Sequence, residues 1–305
     1  MTELVERADR WLFAPEPAGR VRAMRAGVAV LLLVSIATGP YRDLGGQPAA
    51  LFRPVWMLAW LDQMPSREVL VGLQVIGALA AGLAILGWRE RGTFVVAWAS
   101  LLVLDGCWAS RGKVQHNLLP LLLVAGVLAW APTRLRWTDE RRAAAYGWPV
   151  RTSIVVVTGI YFLTGFQKVV SGGPAWVLSD NLRNVMYGAP LTGHAPTDAV
   201  SAFIADRPWL AHGAALATVV IELGAIVALV RPRARVAYVC AVAALHLGIY
   251  LTHGLNYSMW VGTAAVVLID WRPALLRAVS ARRPAWAARA PRRSRPPGTP
   301  AAEHR

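Results

Sequence analysis

The amino-acid sequence predicts an all-α fold: a polytopic integral membrane protein with about eight transmembrane helices in one bundle. Three observations carry this. Apolar runs of membrane-spanning length recur along the 305 residues, more often than soluble folds contain them. Hydrophobic residues make up 56% of the chain and charged residues 16%, too few charges to cover eight such helices with a solvated face. The positive charges fall between the apolar runs and in the tail. There they read as topology signals and contacts to anionic lipid, so the net charge of +15 points to membrane lipids as partners and not to nucleic acid.

Residues 1–22 read as a polar, basic cytoplasmic or interfacial N-terminus, with an interfacial piece around Trp11, Leu12 and Phe13. The transmembrane domain is expected over 23–271. Its first span runs from about Ala23 to Gly39, and residues 40–68 form a Pro- and aromatic-rich loop. The second span is about Val69 to Trp88 and the third about Thr93 to Cys107, joined by Arg89-Glu90-Arg91-Gly92. The fourth begins near His116 and stops by Ala131, because Pro132 cannot continue a helix. After an Arg-rich segment the fifth runs from about Thr152 to Lys168, and then comes a loop of some forty residues. The sixth is about Leu210 to Val230, the seventh about Val236 to His253, and the eighth about Tyr257 to Ile269. The tail over 272–305 is rich in Arg, Pro and Ala without apolar periodicity, a composition that predicts disorder. The first apolar run lacks a small-residue cleavage site and reads as a retained anchor. Cys107 and Cys240 lie in different apolar segments and suggest neither a disulfide framework nor a metal motif.

Charge decides the orientation. With the N-terminus in the cytoplasm and eight crossings, 24 of the 32 Lys and Arg fall on the cytoplasmic side and 8 on the outer side. Removing one helix would place Arg231, Arg233 and Arg235, or the tail, on the wrong side. Both termini are therefore expected in the cytoplasm. The Arg- and Ala-rich usage points to the inner membrane of a bacterium.

Polar side chains then gather toward the outer half of the bundle. The chain has 30 arginines and only two lysines, Lys113 and Lys168. Arginine cannot lose its proton in a protein, whereas a desolvated lysine can. Lys168, at the end of the fifth span, is thus a candidate base shielded by Phe166 and Trp176; its alternative is a lysine that snorkels to the interface and anchors the helix. His116 and Asn117 open the fourth span, and Asn256 and Tyr257 come after the seventh. Deeper lie Glu222 and His246, the latter eleven residues after Arg235 and so roughly 16 Å along the helix. Ionisable groups at that depth usually face a bundle interior or a wet cavity. Glu222 could equally make an interhelical hydrogen bond, His246 could serve a backbone carbonyl, and Trp176 could belong to an interfacial belt. No H-E-x-x-H pairing, phosphate loop, dinucleotide fingerprint or nucleophile elbow is present, so no metal is expected.

The stretch YFLTGFQKVVSGGPAW (161–176) resembles a motif of the vitamin K-dependent gamma-carboxylases and their bacterial relatives, which carry the horizontally transferred transmembrane (HTTM) domain. Four further pieces are similar in the same order: WLFAPEPAGRVRAMRAGVAVLLLV, QHNLLPLLL, AHGAALATVVIELGAIVAL and LHLGIYLTHGLNYSMW. The resemblance covers roughly residues 10–272. It implies a membrane enzyme acting on a quinol or another lipidic substrate, with Lys168 as the base and His116 as a supporting catalytic group. Gln167 stands where the family motif has a second lysine. Asn117, Gln167, Trp176, Glu222, His246, Asn256 and Tyr257 are then the expected substrate-binding residues. The alternative is a non-catalytic membrane component that binds lipid or a protein partner.

Overall fold

The computed structural model describes residues 2–112, 116–189 and 198–281. Helices dominate them. An exposed amphipathic helix, α1 (Thr2–Leu12), leads to a two-residue strand, β1 (Glu16–Pro17), and then directly to α2 (Ala18–Thr38). The first long helix thus starts five residues before the predicted Ala23, because Pro17 at the N-cap presets the chain for entry and the basic first turn is packed rather than solvated. Gly39-Pro40 ends it. Next come α3 (Arg67–Leu86), closed by left-handed Gly87, and α4 (Glu90–Ala109). The shorter α5 (Leu119–Trp130) carries Pro120 in its first turn, where no helical N–H is lost.

Strand β2 (Arg142–Ala143) pairs antiparallel with β1, Glu16 opposite Ala143, and runs straight into α6 (Ala144–Gly172). This 29-residue helix exceeds the predicted Thr152–Lys168 at both ends. Lys168 is consequently not at the helix end; one more turn comes after it. The described residues of the expected long loop hold three short helices, α7 (Ala175–Leu178), α8 (Asn181–Gly188) and α9 (Asp198–Ala205). The predicted sixth span is broken at Gly224 into α10 (Pro208–Leu223) and α11 (Ala225–Val230). Then α12 (Arg235–His253) ends at left-handed Gly254, and α13 (Ser258–Leu268) completes the bundle.

Among the described residues, six helices are long and apolar enough to cross a membrane: Ala18–Thr38, Arg67–Leu86, Glu90–Ala109, Ala144–Gly172, Pro208–Val230 and Pro232–His253. Two of the eight expected spans, α5 and α13, have only 12 and 11 helical residues. Residues 2–270 form one unit with a core of small and aliphatic side chains such as Leu32, Ala81, Leu101, Leu121, Val157 and Ala264. The long helices keep large apolar residues outward, among them Leu79 and Leu86 on α3 and Leu163 and Val170 on α6. A second unit begins at Trp271. Its described part includes a helix, α14 (Arg272–Ala281), which corrects the expectation of disorder from residue 272 onward. Residues 282–305 lie outside the described residues.

The end of the bundle holding the N-terminus of α2 is clasped by charge. Fully buried Arg25 donates to Glu90 Oε1 (2.9 Å) and to the carbonyls of Leu128, Ala131 and Pro132 at the end of α5 (2.8–2.9 Å). Arg22 caps α3 through Ile85 O at 2.7 Å, and the Arg134 N–H donates to Glu90 Oε2 at 3.1 Å. Orphaned carbonyls at helix C-termini are thereby satisfied by cations, which the helix dipoles favour.

Candidate functional site

The site begins with a missing side chain. A Cβ added to Gly165 would stand 2.7 Å from Glu222 Cβ and 3.1 Å from the backbone nitrogen of Leu223. Only glycine lets α6 approach α10 this closely, the small-residue packing by which apolar helices associate. Three residues further along α6, Lys168 lies on the same side of the helix and meets Glu222 directly. Its Nζ is 2.7 Å from both carboxylate oxygens. The lysine side chain is 24% exposed and the glutamate 11%, so the pair is largely withdrawn from solvent yet open on one side.

Beyond Lys168 the chain folds back over it. Helix α6 ends at Gly172, and Gly173 adopts φ +55° with ψ −150°, a conformation essentially confined to glycine. The turn seats Trp176 so closely that a Cβ on Gly172 would lie 2.8 Å from Trp176 Cβ. The indole ring then stands 5.4 Å from Lys168 Nζ, within cation–π range. Phe166, expected to help shield the lysine, does not do so: it is half exposed and stacks on Phe162.

Lys168 opens into a cleft of about 640 Å³, within the size range of ligand pockets. Gln167, Thr164 and Ser171 of α6 line it together with Trp176, His116 and Trp260. His116 lies just before α5, and its carbonyl accepts a hydrogen bond from Trp260 Nε1 at 3.0 Å. Its Nε2 is 3.3 Å from the Tyr257 hydroxyl, which does not itself line the cleft.

Behind the cleft is an aromatic layer. The Trp260 ring centroid lies 5.2 Å from Tyr161 and 5.9 Å from both His116 and His246. Buried His246 bonds neither a backbone carbonyl nor the cleft; its Nε2 meets the Tyr161 hydroxyl at 3.0 Å. Lys168 and His116 thus share the cleft, whereas His246 stands one ring away from it. Asn117 and Asn256 line a separate cavity of about 220 Å³. Sequence reasoning missed Tyr161, Thr164 and Trp260. Tyr161 and Thr164 had a signal: they precede Lys168 by seven and four residues, one helical face.

Among the described residues, no three His, Cys, Asp or Glu side chains gather as metal ligands. Comparison with known protein families, with curated proteins and with solved structures returns no match to this chain. The functional reading therefore rests on the geometry of the cleft.

Proposed function

We propose that this chain is an HTTM-like protein of the bacterial inner membrane, crossing it eight times with both termini in the cytoplasm, and an enzyme acting on a quinol or another lipidic substrate with a hydroxyl head group. The observation that carries the reading is the Lys168–Glu222 pair, whose lysine lines a cleft of aromatic, aliphatic and polar side chains. Such a cleft suits a flat apolar head, and the pair offers that head a place to leave a proton. Lys168 acts as the base once its own proton has passed to Glu222, which holds the amine in place and keeps that proton, and His116 stands across the cleft as the supporting group. Gln167 and Trp176 hold the substrate. Six spans are evident by length; α5 and α13 complete eight when the segments leading into them are counted. Non-helical backbone at membrane depth is tolerated where it lines a cavity, and residues 116–118 do so.

A second reading rests on the same contact. Both carboxylate oxygens engage Lys168, as they would in an interhelical lock that positions a cleft for lipid without chemistry.

A lipophilic quinone carrying a photoreactive group near its head tests the proposal. Cross-links are expected on the peptides bearing Gln167, Ser171 and Trp176. They should be competed by unlabelled quinol and lost when Ser171→Trp fills the cleft. Labelling confined to the outward faces of α3 and α6, indifferent to that substitution, would contradict it.

A further inference from the structure

A cavity of about 220 Å³, apart from the Lys168 cleft, lies between the C-terminal ends of α2 and α4 and the segments entering α5 and α13. We propose that it binds a small monovalent cation, an alkali-metal ion or a primary ammonium group. This does not rest on the reading of the cleft.

The cavity is lined by Ser35 from α2, Asp105 from α4, Asn117 before α5, and Asn256 and Ser258 at the entrance to α13. Among the described residues Asp105 makes no ion pair and no Lys, Arg or His lines the cavity. A carboxylate withdrawn from bulk water at the end of a membrane-length helix is costly unless a counter-charge joins it. Ser35 supplies an independent sign. It is 5% exposed, and its buried Oγ has no hydrogen-bond partner, although buried hydroxyls are normally satisfied. Thus one formal negative charge faces the cavity beside neutral oxygen donors.

That composition selects the ligand. An anion would meet the carboxylate with no cation to offset it. Calcium sites bring several carboxylates, and the cavity has one acidic lining residue. A single positive charge balances Asp105, while the Ser35 hydroxyl and the side-chain carbonyls of Asn117 and Asn256 can replace part of its hydration shell. Asn256 Oδ1 already accepts the Ser258 N–H at 2.9 Å, which holds this oxygen in a fixed place.

The test is thermal unfolding of the purified full-length chain in detergent. Sodium, potassium, methylammonium and choline chlorides are compared at equal ionic strength. Binding predicts a saturable rise in Tm of about 5 °C over choline when the fitting cation reaches ~100 times its Kd. The alkali series against methylammonium separates a metal ion from an ammonium ligand. Asp105→Asn should abolish the rise and Ser35→Ala should weaken apparent affinity about tenfold. Ser35→Ala keeps the test open should the Asp105 variant fail to fold. Equal Tm values in all four salts, or a rise that survives Asp105→Asn, would overturn the proposal.

Discussion

At the scale of single residues, Lys168 and Glu222 are each visible in the sequence and their partnership is not. Lys168 stands out as one of two lysines among 30 arginines, and Glu222 as a carboxylate inside an apolar run. They are 54 residues apart, and only the packing of α6 on α10 joins them. Asn117 and Asn256 belong to the same membrane end in the sequence and so to the same expected site. Depth alone cannot tell which side of a loop a side chain faces, and both fall in the neighbouring cavity. The pair makes a prediction about stability. Glu222→Ala leaves an uncompensated ammonium at the cleft and should cost roughly 3 kcal/mol, with the double variant Glu222→Ala/Lys168→Met costing less than the two single changes together. Denaturant or thermal unfolding of the four proteins measures the coupling; strict additivity would mean that the contact contributes nothing. Lys168→Arg should retain stability, since a guanidinium can also grip a carboxylate, while losing the ability to accept a proton.

At the scale of elements, existence is legible in the sequence and length is not. Each predicted span has a helix, since an apolar run can satisfy its backbone in a membrane only by coiling. The ends differ where charged or turn-forming residues are packed. The Arg-rich segment before Thr152 has the composition of a loop, yet α6 begins at Ala144, fixed by the β1–β2 pairing just before it. Arg25 has the sequence position of a topology signal and is also a buried tie holding α5 and α4 to α2. Arg25→Ala should destabilise by about 3–5 kcal/mol, because Glu90 loses its buried ion pair and the carbonyls of Leu128, Ala131 and Pro132 each lose one hydrogen bond. A thermal midpoint within about a degree of the parent would refute this account of the clasp. Gly165→Val has no room beside Glu222 and should part α6 from α10, at a cost of about 1–3 kcal/mol. If the valine variant is as stable as the parent and still couples Lys168 to Glu222, the close approach is not what seats the pair.

At the scale of the whole molecule, the charge distribution carries the orientation and the aromatic layer carries the site. In the proposed topology, which rests on the 24-to-8 division of basic residues, the Arg25 clasp lies at the cytoplasmic end and the Lys168 cleft at the outer end of one bundle. Reporter fusions at Trp56 and His194 should report the outside and one at the C-terminus the cytoplasm; a C-terminus outside would break the eight-span topology. The central claim is that Lys168 and Glu222 engage the acidic hydroxyl of an apolar-tailed head group. Equilibrium binding of a short-chain quinol, compared with its dimethyl ether, to the protein in lipid nanodiscs tests this most directly. The ether keeps the rings and tail and has no proton to give. Hydrogen bonds to charged partners are worth roughly 1.5–3 kcal/mol, so the quinol should bind about ten- to a hundredfold tighter, and Lys168→Met should erase that preference while still binding the ether. Equal affinity for quinol and ether in the unaltered protein would contradict the account and leave the pair as an interhelical lock.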